Sequence, residues 1–119
     1  MKRHPQNNEK IALTRLLRKA SSKNNAGIWR KVATFLQKPK RESISVNLSR
    51  VNRHSIPNDV ILVPGKVLSS GLIAHPITLA SFALSQKTKE KIERNGGKWL
   101  KIDELIALNP KGSGVKIIA

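Results

Sequence analysis

From about Asn8 the apolar positions Ile11, Leu13, Leu16, Leu17 and Ala20 recur near the helical period, with Arg15, Arg18 and Lys19 set between them. The pattern predicts an amphipathic helix that stops at Asn24-Asn25-Ala26-Gly27. A second helix is expected from near Ile28 to about Gln37, burying Ile28, Val32, Phe35 and Leu36, because Pro39 disfavours helical backbone at Lys38. Together they read as a helical hairpin.

The period then changes. Ile44-Ser45-Val46-Asn47-Leu48-Ser49 alternates strictly between apolar and polar, as a half-buried strand does. Val60-Ile61-Leu62-Val63 is wholly apolar, which suits a strand covered on both faces, and Pro64-Gly65 is expected to end it. Ile77 to Leu84 is the next strand candidate. Ser85 is a good N-cap for a helix over about Gln86 to Arg94, in which Glu90 and Arg94 make a favourable i,i+4 pair and Gly96-Gly97 supplies a left-handed stop. Lys98 to Ile102 suggests a brief strand, Asp103 a cap for a short helix through Leu108, and Val115-Lys116-Ile117-Ile118 a closing strand, with Asn109-Pro110 as the break before it.

The expected fold class is α/β: a compact mixed body of short strands and helices over residues 44–119, with a basic helical N-terminal arm over 1–43. With 119 residues, no internal repeat and no long linker, the whole chain is expected to be one domain.

Charge changes the picture most. Lys and Arg number 23 against 7 Asp and Glu, a formal net charge of +16, so a folded surface must repel itself unless it meets a polyanion. Each cation set against a phosphate releases condensed counterions, which makes nucleic acid the first candidate partner. Residues 1–58 hold only Glu9 and Glu42 as acids, so the N-terminal half is the expected contact region. No run reaches the eighteen or so apolar residues of a membrane span. The basic Met1-Lys2-Arg3-His4-Pro5 leads into Gln6-Asn7-Asn8-Glu9 instead of an apolar signal segment. Cysteine is absent, which removes disulfides, thiolate metal sites and cysteine nucleophiles; a cytoplasmic location is expected.

Catalytic chemistry finds little support. Gly65-Lys66 is followed by Val67 and lacks the upstream glycine of a phosphate-binding P-loop, and Lys111-Gly112-Ser113-Gly114 has no helix after it. His4, His54 and His75 are scattered without partners at metal-ligand spacing. The acid pairs Asp103-Glu104 and Glu90 with Glu93 fall in or near helix starts and exposed turns, where dipole and ion-pair roles explain them. No enzyme, metal, cofactor or small-molecule substrate is expected.

Aromatic residues are few: Trp29, Trp99, Phe35 and Phe82, with no tyrosine. A platform for stacking single-stranded bases is therefore hard to build, and phosphate and shape recognition of folded RNA fits better. Trp29 beside Arg30 and Lys31 could stack on a base, but helical apolar neighbours favour packing, as for Trp99. Lys38-Pro39-Lys40-Arg41 has the features of a phosphate clamp, cationic and stiffened by proline. The glycines beside Lys66 and Lys111 either let an RNA backbone approach main-chain N–H groups or mark ordinary turns.

Five motifs in order can be read together: Ile28-Trp29-Arg30-Lys31-Val32-Ala33, Lys38-Pro39-Lys40-Arg41, Val46-Asn47-Leu48-Ser49-Arg50-Val51, Val63-Pro64-Gly65-Lys66-Val67-Leu68 and Asn109-Pro110-Lys111-Gly112-Ser113-Gly114-Val115. This series resembles the archaeal and eukaryotic large-subunit ribosomal protein 18e family, a relative of the bacterial 15p family, over nearly the whole chain. Ser69-Ser70-Gly71 departs from the family pattern, which places a glycine earlier. The resemblance implies an architectural element bound to large-subunit ribosomal RNA and neighbouring ribosomal proteins, and the lack of long extensions looks more archaeal than eukaryotic. The expected RNA contacts are Lys2, Arg3, Arg15, Arg18, Lys19, Arg30, Lys38, Lys40, Arg41, Arg50, Arg53, Lys66, Lys111 and Lys116. The rivals are a nucleic-acid-compacting or RNA-chaperone protein outside the ribosome, which the same charge would serve, and an RNA-modifying or nucleotide-using enzyme.

Overall fold

The computed structural model describes residues 5–37 and 44–119. Helix α1 spans Pro5–Asn24 and α2 Gly27–Leu36; strand β1 is Ile44–Asn47, α3 Leu48–Arg53, β2 Val60–Leu68, β3 Thr78–Leu84, α4 Gln86–Arg94, β4 Lys98–Lys101, α5 Ile102–Leu108 and β5 Val115–Ile117. All strand pairs among these are parallel. Parallel neighbours need crossovers, which cover both faces of the sheet and demand apolar residues on both.

The sheet order is β1-β2-β3-β4, with β5 also on β2. Along one edge β2 pairs with β3. Along the other it takes two strands end to end: β5 against Val60 to Leu62, then β1 against Gly65 to Leu68. Alternate side chains of β2 serve different cores. Leu62, with Ala80 of β3, faces Leu17, Ala20, Trp29, Val32, Ala33 and Leu36 of the helical hairpin and Ile102, Leu105 and Ile106 of α5. Ile61 and Val63, with Leu79, face Leu48 and Val51 of α3, Ile92 of α4, and Ile73 and Ile77. The apolar run Val60–Val63 is thus covered on both sides, as its composition predicts.

Three local expectations need correction. Pro64-Gly65 does not end the strand; it is a bulge inside it, with Pro64 and Gly65 of β2 facing only Phe82 between the registers Val63↔Ser81 and Lys66↔Ala83. A bulge tolerates proline because the residue there need not donate an N–H to the ladder. Next, the strand expected over 44–49 stops at Asn47, and Leu48 opens α3. Leu48 belongs to the alternating set 44, 46, 48 and equally to the helical pair Leu48 and Val51, both buried, so alternation alone does not locate the switch. Third, α5 starts at Ile102, one residue before the expected cap; Lys101 is the N-cap, and its N–H donates to the Glu104 carboxylate at 2.8 Å. Burial of Ile102, Leu105 and Ile106 sets that start. In α2 the buried residues are Trp29, Val32, Ala33 and Leu36, while Ile28 and Phe35 are half-buried.

Other punctuation holds. Ser85 caps α4 by accepting from the Thr88 N–H at 3.2 Å. Gly96, at φ +83, ends it with paired bonds from Gly96 N to Glu93 O and Gly97 N to Ile92 O.

Gly65 is where the sheet tolerates least. A Cβ there would collide with the Ile44 carbonyl oxygen and lie 2.7 Å from Ile44 Cβ, so β1 would have to leave its register. Gly65→Ala is expected to destabilise the fold by about 3 kcal/mol, whereas Gly27→Ala, with nothing within 4 Å of the new methyl, is expected to be neutral or slightly stabilising. Denaturant melts of the two variants check this, and equal midpoints would contradict the packing described.

Candidate nucleic-acid interface

On α1 the buried residues Leu17, Ala20 and Ser21 form one stripe, and Arg15, Arg18 and Lys19 are exposed between and opposite them. The i,i+3 and i,i+4 spacings of these three cations put like charges side by side, costing a few tenths of a kcal/mol per pair on an isolated helix. Arg18 Nη2 donates to Gln37 Oε1 at 2.7 Å, a neutral partner that leaves the charge uncancelled. Arg30 is exposed in the first turn of α2.

Trp29 brings a distant segment to this hairpin. Its ring is fully buried, and Nε1 donates to the Pro110 carbonyl at 2.6 Å. Gly112, at φ +68, sits so close to α2 that a Cβ would meet Ile28 Cγ2 at 2.5 Å. The turn that carries exposed Lys111 is therefore docked on the helix that carries Arg30. The reading in which these glycines admit an RNA backbone changes accordingly. Gly65 is filled by β1 and Gly112 by α2, and of the three only Gly114, at φ +75, has open space around it.

Elsewhere, Arg50 and Arg53 are exposed on α3 and lie in its last turn, where the helix dipole also favours cations. Lys66 is exposed on β2 in register with Ser45 of β1. Lys116 of β5 reaches Asp59 Oδ2 at 3.1 Å and the His54 carbonyl at 3.4 Å. Lys2, Arg3, Lys38, Lys40 and Arg41 lie outside the described residues, so the clamp segment has no geometry to report.

Among the described residues, Lys116–Asp59 is the only ion pair within 4 Å. Their remaining lysines and arginines have no carboxylate that close.

One organising cation escaped the sequence reading. Lys91 of α4 donates from Nζ to the Ser69 carbonyl at 2.7 Å and the Gly71 carbonyl at 2.8 Å. The Ser70 carbonyl accepts from the Ser49 N–H at 3.0 Å, and Gly71, at φ +93, lies against Ser49. The Ser69-Ser70-Gly71 turn is thereby held between α3 and α4. Its partners lie 20 and 22 residues from Lys91, so no local pattern could have announced them.

Ser55, His75 and Asp59 invite comparison with a nucleophile triad. Ser55 Oγ lies 2.8 Å from His75 Nε2, but it also bonds the Val51 carbonyl at 2.7 Å. A carbonyl only accepts, so the hydroxyl proton goes to Val51 and His75 Nε2 must be the donor. An imidazole in that tautomer cannot take the serine proton. Asp59 is meanwhile held by the Ile56 N–H at 2.9 Å and by Lys116.

The Ile56 N–H, then Lys116, and more weakly His75, keep the Asp59 carboxyl below its ordinary value of 3.8. A depressed folded-state pKa contributes stability that is fully present above the unfolded value and lost as pH falls through the folded one. Asp59→Asn is therefore expected to be less stable than wild type at neutral pH and equally stable well below pH 3.8. High salt should narrow the neutral-pH gap. Melting temperatures across pH check it; a gap that persists in acid would contradict the assignment.

Residues 24–100 match the family of ribosomal proteins that takes in 50S-L15 and 50S-L18e together with their 60S counterpart. The chain is 48% identical over 107 residues to the large ribosomal subunit protein eL18 of Methanococcus maripaludis, covering 90% of this chain and 89% of that protein. It is 43% identical over 108 residues to the protein of the same name from Archaeoglobus fulgidus, covering 91% and 92%. With that of Pyrobaculum aerophilum it shares 42% over 114 residues, covering 96% and 93%.

Proposed function

Since the chain belongs to the ribosomal protein family that unites 50S-L15 and 50S-L18e with their 60S counterpart, we propose that it binds and stabilises folded large-subunit ribosomal RNA through phosphate contacts. Family membership makes it a structural constituent of the large ribosomal subunit, acting in the cytoplasmic ribosome, and not an enzyme. Its partners are that RNA and the ribosomal proteins beside it.

The observation that carries the phosphate reading is electrostatic. A chain of net charge +16 holds one ion pair among its described residues, so its cations are left unneutralised on the surface. Water screens such charges, yet folding gains nothing from them and loses some stability to repulsion. Binding recovers that loss by releasing counterions from RNA. The contacts are assigned to Lys2, Arg3, Arg15, Arg18, Lys19, Arg30, Lys38, Lys40, Arg41, Arg50, Arg53, Lys66, Lys111 and Lys116. Lys116 is the member with a carboxylate already beside it, so its share is smaller.

Lys38, Lys40 and Arg41 changed together to Ala should weaken binding to large-subunit RNA fragments and make the plot of log affinity against log salt shallower by about 2 to 3. Filter binding at several salt concentrations measures this, and an unchanged affinity and slope would refute the clamp. Co-sedimentation in high salt separates the ribosomal reading from a general nucleic-acid-compacting protein or RNA chaperone, because a nonspecific binder washes off the large subunit.

A further inference from the structure

We propose that the N-terminus of α2 is a discrete phosphate site, in which main-chain N–H groups, Ser21 and Arg30 together hold one phosphodiester of the RNA backbone. The inference rests on the RNA-binding reading above and deepens it by giving one contact a location.

The first N–H groups of any helix lack intrahelical acceptors and mark its positive end. Among the described residues nothing compensates those of α2. The N-cap is Ala26, whose side chain accepts no hydrogen bond, and the first turn contains no acid. The chain arrives there through a tight turn, with Asn25 left-handed at φ 50 and the Ala26 N–H donating to the Ser21 carbonyl at 3.0 Å. The turn leaves a depression lined by Ser21, Ser22, Asn25, Ala26, Gly27 and Arg30. Gly27 faces open space, with no atom within 4 Å of where a Cβ would stand.

Ser21 supplies the independent evidence. It is 6% exposed and lines the depression, yet its hydroxyl finds no hydrogen-bond partner among the described residues and is not sealed from solvent. Two other hydroxyls of the hairpin, Thr14 and Thr34, turn back to the i−4 carbonyl, at 2.8 Å and 3.1 Å. With its oxygen open to solvent the hydroxyl is satisfied by water, and it is available to an anion that displaces that water. Hydroxyl, main-chain N–H groups and guanidinium are all donors, and among the described residues no carboxylate lines the depression to compete. That donor set suits a phosphate oxyanion.

The test uses the full chain with large-subunit ribosomal RNA fragments. Gly27→Asp puts a carboxylate into the anion's place at a position with room for it and with a favourable dipole. It should melt at or above wild type while binding RNA about tenfold more weakly. Gln86→Glu makes the same charge change in the first turn of α4, and its affinity should stay near wild type. Ser21→Ala should keep full stability and lose affinity, and Arg30→Gln should make the salt slope shallower by about 1. Amide NMR signals of Gly27 and Ile28 should move when RNA is added. If wild type binds RNA steeply and Gly27→Asp and Ser21→Ala bind just as well, the site is refuted while the RNA-binding reading stands. If inorganic phosphate moves those amides and RNA does not, the depression is a free-anion site and the inference also falls. Failure of wild type to bind the RNA at all would sink both.

Discussion

The structure depends on β2 more than on any other element. The strand is hydrogen-bonded along both edges, to β3 on one side and to β5 and then β1 on the other, and its side chains feed two separate apolar clusters. Every connection must therefore cross one face or the other, and α1, α2 and α5 fall on one side with α3 and α4 on the other. The bulge at Pro64-Gly65 lets a single nine-residue strand accept two partners in succession, and the bare Cα of Gly65 lets the Ile44 backbone close in.

Once the apolar residues are committed to those two clusters, the cations have nowhere to go but outward. They are not scattered at random among acids that could cancel them. The amphipathic repeat of α1 turns Arg15, Arg18 and Lys19 away from Leu17 and Ala20, and Trp29 fixes the Lys111 turn to the helix bearing Arg30. The result is a fold held together by apolar burial that keeps a self-repelling surface, a combination suited to a component whose partner supplies the negative charge.

Lysine plays a second part inside the structure. Lys91 directs its ammonium donors to the carbonyls of Ser69 and Gly71, so one cation builds a turn while others, such as Arg15 and Lys19, face solvent. The Lys91 contacts give the Ser69-Ser70-Gly71 turn a defined shape.

Residue order by itself determined the helices other than α3, the rough places of the five strands, the stops at Asn25 and Gly96, the cap at Ser85, the fully covered strand at Val60–Val63 and the excess of positive charge. These follow from periods, caps and composition, which act over a few residues. Tertiary structure decided where Leu48 changes from strand to helix, why Pro64-Gly65 lies inside a strand, and which glycines are packed shut. It also decided what Trp29 and Lys91 hold, and it left Ser21 without a partner among the described residues at the mouth of α2. Each of those depends on atoms brought together from segments far apart or across a turn, and such encounters are settled by packing, not by local preference.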